Sequence, residues 1–119
     1  MKIFAIEPVP KPRMTQSDRW NNRPSVMRYF AFKDALRLEA NRRNFTITNG
    51  LRIRFVLPMP MSWSITKRSK FYDGPHQQKP DLDNLLKAFF DALLEDDSII
   101  WSVAGVDKVW GTEGMIMIG

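Results

Sequence analysis

The residues best suited to chemistry in this chain are the carboxylates between positions 81 and 97. This window holds six acids against one lysine, Lys87, which gives a local net charge of −5 in a chain of net charge +5. The acids are Asp81, Asp83, Asp91, Glu95, Asp96 and Asp97. A compact group of carboxylates can hold a hard divalent cation, and the basic remainder of the chain attracts a polyanion. The pattern predicts metal-dependent chemistry on nucleic acid.

Other kinds of metal or phosphate site are excluded by the residues present. The chain has no cysteine, which excludes thiolate ligands and disulfides, and its single histidine, His76, has no partner at zinc-ligand spacing. An EF-hand count from Asp81 puts Leu86 where the turn glycine belongs and Ala92 where the bidentate glutamate belongs. No glycine-rich run ends in Gly-Lys-Ser or Gly-Lys-Thr, so a P-loop is absent. Oxygen ligands remain as the expected donors.

Size and composition predict a single folded domain, residues 1–119. The chain of 119 residues is 44% hydrophobic and 12% aromatic, which favours a globule with one modest core. A sequence pI of about 9.8 favours phosphate-rich partners and salt-sensitive binding. The apolar runs are too short to span a bilayer and no signal peptide is recognisable, so we expect no membrane association and a cytoplasmic protein.

The acidic window is expected to begin on a helix that runs from Asp81 to about Leu94. Asp81 is a plausible N-cap and Asp83 lies in the first turn, where the helix dipole favours negative charge. Lys87 follows Asp83 by four residues and precedes Asp91 by four, on the polar face. A surface salt-bridge ladder worth about 0.3–0.5 kcal/mol per pair explains this spacing. The alternative is a lysine held beside a metal site to receive a phosphate.

The remaining elements predict an α+β fold, with a small mixed sheet of about four strands and two main helices. The first main helix begins near the N-cap Ser25 and runs to about Arg43, after a basic loop over 8–24 that contains Lys11, Arg13, Arg19 and Arg23. Gly105 is a candidate β-bulge. The predicted strands are Lys2–Glu7, Leu51–Leu57, Ile99–Val103 and Met115–Ile118.

The long connection from Pro58 to Lys79 is the predicted DNA-binding segment. It carries aromatic residues among basic ones, a composition that can track a phosphate backbone and stack on exposed bases. A solvated loop whose Trp63 folds back onto the core is the other interpretation, and for His76 an ordinary loop position is equally consistent. The candidate DNA contacts are Lys67, Arg68, Lys70, His76 and Lys79.

A shared site for all the acids depends on how the chain bends. The turn carrying Asp96 and Asp97 follows a helix of ~20 Å, so its acids reach the helix N-terminus only if the fold returns them there. Spacing alone leaves open whether one subunit can complete the site.

The window 79–99 resembles the RusA-like Holliday-junction resolvases, also called crossover junction endodeoxyribonucleases. An Asp-x-Asp-Asn-x-x-Lys helix at Asp81–Lys87 is followed by Asp-Ala-Leu at 91–93 and by Asp96-Asp97-Ser98-Ile99. The clear match covers roughly residues 76–101, and the order of predicted elements agrees along the rest of the chain. The resemblance implies a RusA-like fold and a homodimer that cuts four-way DNA junctions with Mg²⁺ or Mn²⁺ in recombination and repair.

The resemblance also implies roles for individual residues. Asp81, Asp83 and Asp97 are expected as the essential carboxylates and metal ligands, and Lys87 as a catalytic residue that stabilises charge on the phosphate. Asp96 is the alternative candidate for the metal-ligand role of Asp97, because the segment between Asp91 and Asp96 is shorter than in some members of the family. An alternative of another class is a non-catalytic basic DNA-binding accessory protein whose acids only cap a helix.

Overall fold

A four-stranded mixed sheet forms the centre of the fold, as the sequence predicts. The computed structural model describes residues 1–13 and 23–119, so Arg19 of the predicted basic loop lies outside the described residues. The elements are β1 (Lys2–Phe4), α1 (Pro24–Arg42), β2 (Leu51–Pro58), α2 (Ile65–Phe71), α3 (Leu82–Leu93), a 3₁₀ helix (Asp97–Ile99), β3 (Val103–Gly111) and β4 (Met115–Ile118). In spatial order the sheet runs β1-β4-β2-β3, with β2 and β3 parallel and the other pairs antiparallel.

The core lies between the sheet and the two longer helices. Apolar side chains of α1 recur every three or four residues, and those of β2 recur every second residue, so each element presents one apolar face. Both faces and the stripe of α3 meet in one buried cluster. Its largest fully buried members are Phe4, Phe55, Phe89, Leu36, Leu85 and Ile116. The predicted amphipathic helices and the alternating strand are confirmed.

The opposite face of β2 carries arginines, as its alternation predicts. Arg52 and Arg54 are exposed, and Arg54 donates two hydrogen bonds to the Asp107 carboxylate on β3, at 2.8 and 3.0 Å. The register between β2 and β3 shifts by one residue, since Leu51 pairs with Val103 and Arg52 pairs with Gly105. This irregularity matches the bulge expected near Gly105.

The connection between β2 and α3 contains structure that the sequence analysis missed. Seven of its residues form α2, which begins after Ser64, whose Oγ accepts a hydrogen bond of 3.1 Å from the Lys67 amide. No residue of α2 is buried, so the helix has no apolar stripe that periodicity could reveal. The following segment, 73–76, lies along the edge of the sheet and exchanges backbone hydrogen bonds with Lys108 and Trp110.

The predicted strand at Ile99–Val103 is wrong in its position. Residues 97–99 form a 3₁₀ helix, and β3 begins only at Val103. The amides of Trp101 and Ser102 are bonded to a side chain instead of to a neighbouring strand. The Asn49 Oδ1 accepts from them at 2.8 and 3.3 Å. Ile99 and Trp101 are 60% and 83% exposed, so their strand-like composition reflects no burial.

Two element ends also differ from the prediction. The first helix begins at Pro24 with Arg23 in the N-cap position, rather than at a Ser25 cap, since proline is well suited to the first helical position. The first strand ends at Phe4 instead of Glu7, before the prolines that lack a donor for the sheet.

Candidate active site

Asp81 lies in the N-cap position of α3 with its carboxylate exposed. Asp81 thus occupies the predicted N-cap position and its carbonyl accepts from the Leu85 amide at 3.2 Å, but its side chain makes no capping hydrogen bond. Across the part of the chain that the structure describes, this carboxylate has no hydrogen-bond or ion-pair partner. An exposed acid at a helix N-terminus is favoured by the helix dipole and remains free to bind a cation.

Asp83 and Lys87 face each other one turn apart on α3. Their charged groups lie 3.9 Å apart, and the side chains are 69% and 61% exposed. An exposed pair at this distance contributes little to stability, so either group can exchange its partner for a ligand at small cost. The structure thus places Asp83 and Lys87 in contact on α3, with Asp81 at the N-cap position immediately before the helix.

Asp91 belongs to a different contact network. Its Oδ2 accepts from the Tyr29 hydroxyl and forms an ion pair with Lys11, both at 2.6 Å, and these contacts replace the predicted pairing of Asp91 with Lys87. Burial opposes ionisation of Asp91, but the bonds from Lys11 and Tyr29 outweigh it and hold its pKa below the ordinary value. Burial and the bond to Asp91 raise the pKa of Tyr29 well above its usual range. Asp91 therefore joins α3 to α1 and to the N-terminal segment.

Asp96 and Asp97 are distinguished by their partners. Asp96 caps the 3₁₀ helix, since its Oδ1 accepts from the Ser98 hydroxyl at 2.6 Å and the Ser98 amide at 3.0 Å. Both bonds lower the pKa of Asp96. The Asp97 carboxylate is exposed and has no partner among residues 1–13 and 23–119. Of the two acids, Asp97 is the one free to bind a ligand.

One subunit does not bring the third carboxylate to the other two. The helix α3 has 12 residues, so it extends ~18 Å, and Asp97 follows its far end. The residue before Asp81, Pro80, lies against Lys108 near the end of β3, whereas the 3₁₀ helix precedes the start of that strand. Within the described ranges, no group of three or more acid, histidine or cysteine side chains could hold a metal ion.

The basic side chains of α2 are presented by an aromatic cluster. The Trp63 ring packs at a tilt against Phe71 and Trp110, with ring centroids 5.3 and 4.7 Å apart, and the Lys67 ammonium lies 4.4 Å from the centroid of the Trp63 ring. Trp63 therefore folds back onto the protein, and this contact holds α2 against the end of β3. The resulting surface keeps two exposed lysines of α2 at the protein exterior, Lys67 and Lys70.

Three other predicted DNA contacts have different surroundings. Arg68 donates at 2.9 Å to the Pro60 carbonyl, which ties α2 to the preceding turn. Lys79 is exposed beside Asp81. His76 is only 5% exposed and stacks at 4.0 Å on Trp110, so the prediction of a phosphate contact is corrected. Burial and the nearby Lys108 ammonium lower the pKa of His76, and the ring is packed inside the protein.

The predicted basic loop is described only in part. Lys11 is bound to Asp91, and its amide donates at 3.1 Å to the carbonyl of Asn84 on α3. Arg23 donates at 2.8 Å to the Arg13 carbonyl. The described part of this segment therefore packs along α3 and contributes to its support.

Lys108 is a contributor to the site that the sequence analysis missed. It extends from β3 to the backbone immediately before Asp81, where its ammonium contacts the carbonyls of Gln78 and Pro80. The strand around it is mostly apolar, with Asp107 as its other charged residue. That pattern does not reveal the partner carbonyls, which follow from tertiary structure.

In the described part of the chain no helix is long and apolar enough to cross a membrane.

Comparisons with known proteins identify the family. No curated protein matched the chain. Residues 5–118 match the family model described as endodeoxyribonuclease RusA, which covers nearly the whole chain and all the carboxylates discussed above. The chain therefore belongs to the RusA endodeoxyribonuclease family and is a nuclease.

Proposed function

We propose that this protein is a homodimeric, Mg²⁺-dependent endonuclease that resolves four-way DNA junctions by paired nicks, in recombination and repair. The observation that carries the proposal is the exposed carboxylate pair of Asp81 and Asp83 beside Lys87, in a chain of the RusA family. An acid that served only as a helix cap would use its carboxylate on the helix. Asp81 does not, which favours a ligand-binding role over the accessory-protein alternative.

The donors fit a hard divalent cation. Asp81 and Asp83 offer exposed oxygen ligands, and neither carboxylate is held by a capping bond. When bound, Mg²⁺ supplies charge neutralisation at the phosphate and a more acidic water as nucleophile, and Mn²⁺ suits the same ligands. Asp81 and Asp83 would hold the ion, and Lys87 would stabilise the negative charge that develops on the phosphate.

The third carboxylate is best supplied by a second copy of the chain. Asp97 is unpartnered in the described structure but lies beyond the far end of α3 from Asp81. In a two-fold symmetric dimer, each subunit can offer its Asp97 to the Asp81 and Asp83 of the other. This arrangement gives two equivalent sites, which is what paired nicks in two equivalent strands require.

The surface around α2 is the proposed DNA contact. Lys67, Lys70 and Lys79 are exposed, and the segment that carries them leads directly into Asp81. Backbone hydrogen bonds from Asp73 and His76 to β3 fix this segment to the sheet. DNA held by these lysines through its phosphates would lie next to the carboxylate pair.

Carboxylate variants test the proposal. Asp83→Asn and Asp97→Asn should each reduce cleavage of a labelled four-way junction by about 100-fold or more, because the charged oxygen ligand is lost while the volume is kept. Junction affinity in EDTA should stay the same or increase, since a negative charge near the phosphate is removed. Glu95→Gln is the matched control from the same acidic window and should cleave normally.

The other outcomes are equally clear. Junction binding without paired nicks by the wild-type protein in Mg²⁺ or Mn²⁺ would favour the accessory-protein alternative. Normal cleavage by Asp83→Asn would show that the proposed site is wrong.

Lys87→Ala should reduce the single-turnover rate more than affinity, whereas Lys67→Ala and Lys70→Ala should reduce affinity and flatten its salt dependence.

A further inference from the structure

We infer that Lys108 is a positioning residue for the carboxylate pair, because its ammonium binds the backbone carbonyls of Gln78 and Pro80 directly before Asp81. The distance to the Pro80 carbonyl is 2.6 Å. This inference depends on the proposed function, since it assigns a supporting role to a residue outside the proposed ligands. Among the residues that the structure describes, Lys108 contacts the proposed site only through the site's backbone carbonyls.

The contact is of a kind that fixes a backbone strongly. Hydrogen bonds from an ammonium group to carbonyl oxygens are charge-assisted and shorter than neutral ones. Lys108 is half-buried and forms no ion pair among residues 1–13 and 23–119, so the two carbonyls are the partners of its charge. A partly buried ammonium left without them would carry a desolvation penalty. The lysine and the segment therefore stabilise each other.

Lys108 binds the segment 76–80 through both its backbone and its side chain. Its backbone carbonyl accepts from the His76 amide at 3.1 Å, while its side chain reaches Gln78 and Pro80. The segment 76–80 is thus attached to one residue of the central sheet just before α3 begins. Because Asp81 follows Pro80 directly and Asp83 lies in the first turn, a shift of the Pro80 carbonyl would displace both carboxylates.

The ammonium, not the alkyl stem, should carry this role. A positioning role predicts that loss of the charge disturbs the metal-ligand geometry and the cleavage rate. Misplacement of reacting groups by about 1 Å can cost about 100-fold in rate. A purely packing role predicts that an apolar side chain with the same stem restores function.

The absence of cysteine allows a test that changes only the ammonium. Lys108→Cys would contain the sole thiol of the chain. Alkylation in denaturant with bromoethylamine, followed by refolding, gives a side chain close to lysine, and alkylation with bromoethane gives the matched uncharged chain. Lys33→Cys is the control, treated identically, because the half-buried Lys33 contacts the rings of Tyr29 and Phe30 instead.

The expected result is rescue by the charged adduct alone. The ethyl adduct should cleave junctions about 10–100-fold more slowly than wild type and require more Mg²⁺ for half-maximal rate, with affinity in EDTA unchanged. The aminoethyl adduct should return to within about threefold of wild type. The Lys33 adducts should all cleave normally.

A second readout needs neither metal nor DNA. Backbone ¹⁵N relaxation of the Gln78, Lys79 and Asp81 amides should show increased motion in the ethyl adduct and wild-type rigidity in the aminoethyl adduct. If Lys108→Cys does not refold, Lys108→Met keeps an apolar stem and carries the same expectations for rate and relaxation.

Three outcomes would overturn the inference. They are wild-type cleavage by the ethyl adduct or by Lys108→Met, equal rescue by both adducts, and unchanged relaxation of residues 78–81. Failure of the proposed function has a different signature, since wild type would then not cut junctions or Asp83→Asn would cut them normally.

Discussion

At the level of single residues, hydrogen-bond partners separate the acids of the 81–97 window. Asp91 and Asp96 have lowered pKa values because protein donors bind their carboxylates. Asp81 and Asp97 are exposed and unpartnered among the described residues, and Asp83 has only a 3.9 Å contact to Lys87. Sequence spacing alone does not distinguish these five acids. Their partners assign the first two to structure and leave the carboxylates of the other three available to a ligand.

Asp91 should contribute measurably to folding stability. Asp91→Asn replaces a charged acceptor of bonds from Tyr29 and Lys11, so we expect a loss of about 1–2 kcal/mol in urea unfolding at pH 7. The value is at the lower end for charged bonds because Lys11 is 37% exposed. Asp34→Asn, at an exposed position on α1, is the control and should change stability little.

The pH dependence of this loss is fixed by the direction of the pKa shift. The pKa of Asp91 is lower in the folded than in the unfolded state, where it is ~3.9. Its contribution is therefore complete above the unfolded pKa and is lost as the pH falls through the folded pKa. The difference between wild type and Asp91→Asn should shrink when unfolding is repeated at pH 3. A difference that stays constant would contradict the assigned network.

At the level of elements, α2 depends on aromatic contacts because it buries no side chain of its own. Trp63→Ala removes the stacks on Phe71 and Trp110, each worth about 0.5–1.5 kcal/mol. Amide hydrogen exchange at Arg68 and Tyr72 should accelerate about tenfold or more, while exchange in β2 stays slow. Junction affinity should fall as the lysines of α2 lose their fixed positions.

A second tryptophan provides the control for this experiment. Trp101 is 83% exposed and lies outside the aromatic cluster, so Trp101→Ala should leave exchange in α2 unchanged. Equal acceleration in both variants would show a general loss of stability rather than release of α2.

The elements that the sequence predicted correctly are those whose apolar pattern is long. Period 3.6 in α1 and α3 and period 2 in β2 identify these elements, because burial on one face imposes each pattern. The failures are local. The helix α2 lacks a buried stripe, and its only signal was the Ser64 cap. The segment 99–102 has strand composition, but the side chain of Asn49 binds its amides from outside the sheet.

The candidate site was likewise predictable only where its contacts are local in sequence. The contact between Asp83 and Lys87 was predictable, since residues four apart lie on one face of a helix. His76 was assigned to the DNA contacts by composition, although the tertiary stack on Trp110 buries it. The contact from Lys108 to Pro80 joins residues 28 positions apart, and no local pattern encodes such a contact.

At the level of the whole molecule, topology separates the carboxylates within one chain. The N-terminus of α3 lies near Lys108, late in β3, and the 3₁₀ helix with Asp97 lies before the start of that strand. The five residue steps from Val103 to Lys108 correspond to ~17 Å, similar to the length of α3. The two ends of the acidic window therefore lie at opposite ends of α3, and in the proposed dimer a second subunit would bring them together.

Mixed dimers can reveal a site shared between subunits. If Asp83 of one subunit acts with Asp97 of the other, a dimer of one Asp83→Asn chain and one Asp97→Asn chain keeps one complete site. This dimer should nick one strand of an immobile junction, although each variant alone is inactive. Two different affinity tags isolate the mixed species, and sedimentation confirms its dimeric state.

The control with both substitutions in one chain gives the opposite result. Paired with a wild-type chain, the Asp83→Asn/Asp97→Asn chain spoils both sites if they are shared, because each site takes one residue from it. If each subunit instead builds its own site, this dimer retains one intact site and nicks, whereas the dimer of single variants is inactive. The two mixed dimers carry the same number of substitutions, so only their arrangement can account for a difference. Nicking by the second dimer alone, or an active species that sediments as a monomer, would exclude sharing of Asp97.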